Sequence, residues 1–387
     1  MATILITGAT GTVGSSLASS LESKGHRLIY LVRPKNGQNT VERLSEALSL
    51  GAIGNRIIWE GDIVFPNCGV KKSEIQEWKG KIDKVIHCAS SISFDELQRK
   101  QTFAVNIGGT SNVLKLAAAL ETPEFHHIST AYVAGDADYF TETDFDIGQT
   151  CRNPYERSKL EAEKLVKKEF PKRFSIYRLA IVVGDSSSGY TPQFAGYYRP
   201  FAFFWHLRES LREKTPDILE RYAKEGIFFN GSNSILALPI QITCSPISTL
   251  NLVPRDWVAE VLSNLAEMPA RGRVFHIVHP TPKKVRWITD ITLDYLGING
   301  YSYERQNNNQ RGSPLLSKIQ HIFDHDVRLY LPYIIHEARF ATVNLISTLG
   351  SRYSLPPEVN EDFLKRILDY AKSVDFGKKV KLKAVEV

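Results

Sequence analysis

The sequence predicts an α/β fold, a doubly wound parallel sheet followed by a smaller, mixed C-terminal cap. Three observations support this prediction. Short apolar runs alternate with helical patterns through the first half of the 387 residues, a glycine-rich turn joins the first run to the first helical stretch, and the pattern becomes irregular after Gly184. Strands and helices that alternate at this spacing are typical of right-handed βαβ units, which build a parallel sheet covered on both faces.

Each predicted element rests on a local pattern. Short apolar runs between turn residues indicate buried strands, and apolar residues that recur with the helical period indicate helices. In chain order, the first half predicts strands at 2–7, 27–33, 56–60, 84–87, 125–129 and 174–179, with helices at 13–24, from 40, at about 95–120 and at about 154–169. The second half predicts helices at 255–267 and 284–296 around a strand at 274–278, a polar loop at 306–312, and mostly helix from there to about 371.

Composition and charge exclude several classes of protein. The chain is 43% hydrophobic, which is enough to build a core and argues against disorder. Its 48 Lys and Arg against 42 Asp and Glu give a formal net charge of +6. The positive residues are spread along the chain without a nucleic-acid-binding module, so we expect no nucleic-acid partner.

Cysteine, hydropathy and histidine patterns bear on compartment and metals. The four cysteines form no C-x-x-C pair, which favours a reducing compartment, the cytoplasm, over a disulfide framework or zinc site. No run reaches the roughly 18 apolar residues of a membrane span, so we expect no transmembrane segment. The histidines lack the spacing of metal ligands, and no metal site is expected at His126, His127, His206, His276 or His279.

The turn after the first predicted strand carries three glycines at a spacing of three, Gly8, Gly11 and Gly14. The first suits a tight turn, the second lets backbone approach a pyrophosphate, and the third lets helix and strand pack closely. A strand precedes this turn and a helix follows it, so that free helix N–H groups face the anion. The pattern predicts dinucleotide binding on a Rossmann-type sheet, against the alternative of a merely tight turn.

The end of the second predicted strand indicates which dinucleotide binds. NAD-binding proteins usually place an acidic residue there, but this chain has Arg33, 19 residues after Gly14. A guanidinium at that place can pair with a 2′-phosphate, so we expect NADP (NADPH) as cofactor. The alternative is an exposed arginine at a strand end. Asp62, after the third strand, is a candidate acceptor for the adenine amino group or a turn cap.

A tyrosine and a lysine four residues apart, Tyr155 and Lys159, form a candidate proton-transfer pair. Residues four apart share one face of a helix. A phenol titrates near ~10, and a neighbouring ammonium stabilises its phenolate form. Thr130 ends the preceding strand, 25 residues before Tyr155, where its hydroxyl can polarise a substrate carbonyl beside the tyrosine. A strand-end cap is the alternative for Thr130 alone.

These segments resemble the extended short-chain dehydrogenase/reductases, the NAD-dependent epimerase/dehydratase superfamily. Within it the chain is most similar to the thioester-reductase and fatty acyl-CoA reductase (male-sterility-type) branch. The resemblance covers about residues 1–185, and the segments that carry it are 7–14 (TGATGTVG), 87–90 (HCAS), 105–110 (VNIGGT), 127–135 (HISTAYVAG) and 155–159 (YERSK).

The resemblance implies roles for the residues that match. Tyr155 would be the general acid/base, Thr130 its hydroxyl partner, Lys159 the residue that bonds the nicotinamide ribose and tunes Tyr155, and Asn106 a support of the proton relay. Arg178 and the two residues after it would close over the cofactor. From the glycine pattern and the resemblance together, the residues expected to contact the cofactor are Gly8, Thr10, Gly11, Thr12, Val13, Gly14, Arg33, Asp62, Ile63, Ala89, Ser90, Lys159 and Leu179.

The implied function is hydride transfer from NADPH to a carbonyl, in this branch an acyl thioester on coenzyme A or a carrier protein, giving an aldehyde or alcohol. Two alternatives stay open, a ketone reductase or secondary alcohol dehydrogenase acting on a hydrophobic small molecule, and a non-catalytic NADP-binding regulatory protein. The substrate or a carrier protein is the expected partner, and monomer and dimer both remain open.

For the domain organisation, we expect residues 1–185 to form the NADP-binding Rossmann domain with the catalytic residues. Residues 186–387 are expected to form mostly the substrate-binding cap and C-terminal helices, with a segment near 250–280 returning to the first domain. The aromatic stretch 197–205 in the cap predicts either an acyl-chain pocket or plain core.

Overall fold

A computed structural model describes residues 1–35, 37–49, 54–231, 235–304 and 314–378. The chain divides into two compact units. The first is formed by Met1–Val182, Val253–His279 and Ala338–Pro357, and the second by Val183–Leu252, Pro280–Glu337 and Glu358–Val387. Each unit is therefore assembled from three separate stretches of chain.

The first unit is built on a seven-stranded sheet in which every neighbouring pair is parallel. Its strands are β1 (Thr3–Thr7), β2 (Arg27–Val32), β3 (Ile57–Glu60), β4 (Lys84–His87), β5 (Glu124–Thr130), β6 (Phe174–Leu179) and β7 (Arg273–Ile277). Their order is β3-β2-β1-β4-β5-β6-β7. The direction of winding reverses between β1 and β4, and in such sheets ligands bind beside the carboxyl ends of the strands at this point. The predicted Rossmann-type α/β fold is confirmed.

Both faces of this sheet are buried, as a parallel sheet requires. Neighbouring residues of a strand point to opposite faces. Ile4 and Ile6 of β1 accordingly pack in one apolar cluster with Tyr30, whereas Leu5 packs in another with Ile29. The near-continuous apolar runs that predicted these strands reflect burial on both sides.

Helices connect and cover the strands of the first unit. They span Thr12–Ser23, Thr40–Ala47, Lys72–Trp78, Arg99–Phe103, Gly109–Ala119, Pro154–Glu169, Arg255–Ala266 and Val343–Leu349. The helix predicted at about 95–120 is interrupted, because a π-helical turn at Ala104–Gly108 joins two of these segments. Within this unit, the short strands Tyr139–Phe140 and Arg339–Phe340 pair in parallel.

The second unit is mixed. Its helices span Tyr198–Arg212, Pro216–Ala223, Val285–Tyr295, Pro314–Val327, Leu331–Ile335 and Glu361–Ser373. Short strands lie at Phe228–Asn230, Ile235–Ala237, Gln241–Thr243, Thr249–Leu250, Lys283–Lys284, Ile298–Asn299 and Ser302–Glu304. Two further short strands, Ile181–Val183 and Leu252–Pro254, lie where the chain passes from one unit to the other. The loop predicted at 306–312 lies outside the described residues.

Aromatic rings form much of the interior of the second unit. The buried rings of Phe203 and Phe204 lie 5.6 and 5.1 Å from the ring of Phe323. Tyr197 and Tyr198 are also buried, and their rings lie 5.2 Å apart in an edge-on arrangement. This part of the stretch 197–205 is therefore packed core. In the described parts of the chain, no helix combines the length and apolar character needed to cross a bilayer.

Candidate active site

The glycine turn after β1 forms a backbone cradle. Gly8 adopts a φ of +74°, and a Cβ added there would lie 2.5 Å from the backbone nitrogen of Ala89. A Cβ at Gly14 would lie 2.2 Å from the carbonyl oxygen of Gly8. Gly11 precedes the helix Thr12–Ser23 and offers no side-chain cap. The first N–H groups of that helix therefore remain available to an anion, as a pyrophosphate site requires.

Arg33 follows β2 and carries a partly exposed guanidinium. Its Nη1 lies 3.0 Å from Oδ2 of Asp62, so these two predicted cofactor residues form an ion pair. A second arginine, Arg43 of the helix Thr40–Ala47, donates to the Arg33 carbonyl and to Thr10 Oγ1, the latter at 3.1 Å. Burial and the positive charge of Arg33 lower the pKa of Arg43.

Arg43 was not predicted to be a site residue, although its sequence surroundings carry a local signal. Asn39 and Glu42 form a capping box at the start of this helix. Because the first residue of the helix is thereby set, so is the helical face on which Arg43 lies. The charges of Arg33 and Arg43 repel each other, and an anion bound between them would relieve that repulsion. The arrangement therefore fits a phosphate group.

Two predicted cofactor residues are held mainly through their backbones. The carbonyl of Ile63 accepts a hydrogen bond from Asn112 Nδ2 at 2.8 Å, while its buried side chain packs against Gly109. Ala89 donates its N–H to Thr7 Oγ1 at 3.3 Å and lies against the glycine cradle. Both residues therefore line the region of the carboxyl ends of the strands with rigid backbone.

Asn106 lies in the π-helical turn and connects two parts of the site. Its Nδ2 donates to the Ser91 carbonyl at 2.9 Å and to Ser158 Oγ at 2.8 Å. Its Oδ1 accepts from the Ser91 N–H at 2.7 Å and from the exposed Ser90 hydroxyl at 3.1 Å. The turn that follows β4 is thereby tied to the helix that carries Tyr155. Single π-turns inside helices occur frequently at functional sites.

Thr130 and Tyr155 are brought together at the carboxyl end of β5. Pro154 starts the helix Pro154–Glu169, and Asn153 caps it by accepting the Glu156 N–H at 3.0 Å. This start places Tyr155 next to Thr130, close enough for the Thr130 hydroxyl to affect the titration of the phenol. Burial raises the pKa of Tyr155 above its usual value, and the interaction with Thr130 lowers it in part.

Thr130 is itself fixed by backbone contacts. Its hydroxyl donates to the carbonyl of Leu179 at 3.4 Å and accepts the N–H of Tyr132 at 3.3 Å. Leu179, predicted to contact the cofactor, is buried in the core through its side chain and offers this carbonyl to the site. The β6 terminus thus helps to orient the hydroxyl pair.

Lys159 is 3% exposed and interacts with β5. Its ammonium donates to the Ile128 carbonyl at 2.5 Å and contacts His127 Nε2 at 3.2 Å. Burial lowers the pKa of Lys159 to about 8, against an opposing effect of the Glu163 carboxylate. The pKa of Lys159 thus lies below that of a free lysine, and the described hydrogen-bond partners of its ammonium are on β5, not on Tyr155.

A buried ion pair lies one helical turn beyond Lys159. Glu163 and Arg178 are fully buried and share Nη2–Oε2 and Nε–Oε1 contacts of 2.7 and 3.1 Å. The Ser129 hydroxyl donates to Glu163 Oε1 at 2.6 Å. The guanidinium of Arg178, expected to close over the cofactor, is instead committed to anchoring this helix on β5 and β6.

Comparisons with known proteins identify the family. The family model for the male sterility protein, an NAD-binding type, matches residues 6–262. The aldehyde reductase lnbA of Aspergillus flavus is 25% identical over 316 residues, which is 76% of this chain and 28% of that protein. Fatty acyl-CoA reductase 2 of Mus musculus is 26% identical over 208 residues, which is 49% of this chain and 38% of that protein. The chain thus spans about a third of the length of these curated relatives.

A solved structure has a similar fold. The terminal R domain from the myxalamid PKS-NRPS biosynthetic pathway superposes with a TM-score of 0.75 at 20% identity, covering 98% of this chain and 93% of that one. At this identity the likeness concerns the fold alone. Together with the family match, it confirms the resemblance to the thioester-reductase branch of the extended short-chain dehydrogenase/reductases.

Proposed function

The chain belongs to the male sterility family, and from that premise we propose that it is an NADPH-dependent reductase of acyl thioesters carried on coenzyme A or a carrier protein. The product is an aldehyde, or an alcohol after a second reduction. The observation that carries the proposal is the pair of neighbouring hydroxyls, Thr130 and Tyr155, at the carboxyl end of β5. This pair belongs to the same unit as the glycine cradle.

The residues around the cradle suit a dinucleotide with a 2′-phosphate. The close backbone approach at Gly8 and Gly14 leaves no room for side chains, and the uncapped helix start suits a pyrophosphate. Arg33 and Arg43 supply two guanidinium groups where an NAD-binding protein usually has a carboxylate. These features support NADPH over NADH.

When bound, the reduced nicotinamide supplies a hydride to the thioester carbon. Tyr155 donates its proton to the carbonyl oxygen, and Thr130 holds the phenol in place. In the resulting tetrahedral adduct the C–S bond then breaks, and the hydroxyl proton passes to the departing sulfur. The balance is one hydride and one proton taken up, which together are two electrons and two protons, with one aldehyde and one free thiol released.

The choice of a thioester follows from the relatives. Fatty acyl-CoA reductase 2 of Mus musculus is named for an acyl-CoA, which is a thioester, and the terminal R domain of the myxalamid PKS-NRPS pathway has a similar fold. We assign NADP binding and catalysis mainly to residues 1–185, and substrate binding mainly to 186–387. The four cysteines are free thiols, which supports a reducing compartment such as the cytoplasm.

A substrate panel tests this function. Consumption of NADPH is followed with acyl-CoA, acyl-carrier, aldehyde and ketone substrates, and free thiol is measured in parallel. We expect thioester-dependent oxidation with equimolar thiol release. Activity confined to ketones would select the alternative of a ketone reductase, and NADPH binding without turnover on any class would select the regulatory alternative.

A further inference from the structure

The ammonium of Lys159 makes two hydrogen-bond contacts with groups of β5. It donates to the Ile128 carbonyl at 2.5 Å and lies 3.2 Å from His127 Nε2. An ammonium group has three N–H donors and no acceptor. Once these two contacts are made, a single N–H is left for any other partner.

The contact with Lys159 determines the tautomer of His127. Because an ammonium can only donate, Nε2 of His127 must accept, and the ring proton must lie on Nδ1. His127 is fully buried, and its Nδ1 has no hydrogen-bond partner among the described residues. A buried donor without a partner costs about 1–3 kcal/mol. The contact with Lys159 thus orients the His127 ring, while the Nδ1–H of the same ring stays without a hydrogen bond.

We propose that His127 is a positioning residue of the reductase. Its neutral imidazole and the Ile128 carbonyl take two N–H groups of Lys159 and direct the third toward the cofactor ribose and Tyr155. This inference rests on the proposed function for the role of Lys159, and it adds a residue that acts only through that lysine.

The groups around Lys159 come from three elements. His127 lies on β5, His87 and Cys88 lie at the end of β4, and Glu163 lies on the helix of Lys159 itself. Burial and the charge of Lys159 hold the pKa values of both histidines far below their usual value, so both rings are neutral. Glu163 raises the pKa of Lys159 and Cys88 does so more weakly.

The consequence for pH dependence follows from this environment. The ammonium form of Lys159 is present below its pKa of about 8 and is lost as the pH rises through that value. Removal of the His127 acceptor leaves the buried ammonium with one partner fewer, which disfavours the charged form. The pKa of Lys159 then falls, and loss of the ammonium begins at lower pH.

The test measures NADPH binding by fluorescence in the full chain between about pH 6 and about 9.5, a range that brackets the lysine titration. His127→Gln places an amide oxygen near the position of Nε2 and keeps the acceptor. His127→Asn is chemically matched but too short to reach Lys159. We expect the midpoint of affinity loss to stay in place for Gln and to fall by about one pH unit for Asn. That shift corresponds to about a fivefold weaker affinity for NADPH near pH 8 and to about a tenfold weaker affinity near pH 9.5.

The fragment 2′,5′-ADP provides the control, because it lacks the nicotinamide ribose and so does not reach Lys159. Its affinity should be equal in all three proteins. The proposal would be overturned if the midpoint of His127→Asn coincided with that of wild type. It would also be overturned if the midpoint of His127→Gln shifted downward. If His127→Asn does not fold, the His127→Gln result decides. NADPH binding is measured without substrate, so the midpoints can be compared even if no substrate of the panel is reduced. Conversely, an unshifted midpoint would contradict the role of His127 but not the proposed reductase activity.

Discussion

The two units fill their interiors with different chemistry. Among the described residues, the buried Asp, Glu, Lys and Arg side chains of the first unit are Glu142, Glu156, Lys159, Glu163, Arg178 and Arg255, against Arg208 alone in the second. The second unit instead packs aromatic rings against one another. A buried charge is tolerated only when it is paired and hydrogen-bonded. To the apolar clusters around its sheet the first unit therefore adds several buried charges, each of which needs a partner, whereas the described part of the second unit has one.

We expect the largest effect from a substitution in the hydroxyl pair of the first unit, Thr130 and Tyr155. Tyr155→Phe removes the proton donor and should lower kcat by about a thousandfold, within the range of general acid catalysis. NADPH binding should be retained, because the phenol is not a cradle residue. Steady-state NADPH oxidation with the best thioester of the panel measures the first effect, and fluorescence titration measures the second.

The matched control removes a tyrosine hydroxyl from the second unit. Tyr301 donates to Asp290 Oδ1 at 2.8 Å near the surface. Tyr301→Phe should leave kcat within about twofold of wild type, since such surface changes perturb little. Equal losses in the two variants would show that the hydroxyl of Tyr155 has no special role.

The next effect concerns stability. Glu163→Gln leaves Arg178 as a buried cation without its carboxylate, which should lower the free energy of unfolding by about 3–5 kcal/mol. In the second unit, Phe323→Leu keeps an apolar side chain of smaller volume and should cost less, about 1–2 kcal/mol. Urea unfolding at neutral pH measures both.

A comparable cost for the two substitutions would contradict the contrast between the units. Ser129→Ala extends the measurement, because it removes one hydrogen bond to Glu163 but leaves the ion pair intact. Its cost should fall near 1–3 kcal/mol, between the other two.

The smallest effect concerns cofactor choice. Arg33→Ala removes one of two guanidinium groups from the proposed phosphate site and should weaken NADPH binding by about 10- to 100-fold, with little change for NADH. Arg221→Ala makes the same charge change at an exposed site of the second unit and should alter neither affinity. The affinities of wild type and both variants for NADPH and NADH are measured by titration. Equal losses of affinity for NADPH and NADH in Arg33→Ala would remove the argument for a 2′-phosphate site.

Local patterns predicted the framework of the first unit well. Strand β4, strand β6 and the helix Pro154–Glu169 lie where their apolar runs and the proline at the helix start placed them. The π-helical turn at Ala104–Gly108 was not predicted, because one extra residue per turn leaves no mark on a periodicity that a continuous helix would also satisfy.

The candidate site was predictable only where its residues form a local motif. The glycine turn and the Tyr155–Lys159 spacing could be read directly from the sequence. The contacts of Lys159 with His127, and of Glu163 with Arg178, depend on how the helix Pro154–Glu169 packs against β5 and β6. His127 and Glu163 therefore looked like ordinary residues until the strand register was known.

The discontinuity of the first unit has a consequence for its synthesis. Glu142 accepts backbone N–H groups from His276 and Leu345, so one early carboxylate is satisfied by residues made more than a hundred positions later. As the chain leaves the ribosome, the glycine turn and the hydroxyl pair emerge well before the sheet gains β7. Long-range pairing of this kind is slow and leaves strand edges exposed meanwhile. Until the residues near 276 and 345 have been made, the Glu142 carboxylate therefore lacks these two backbone partners.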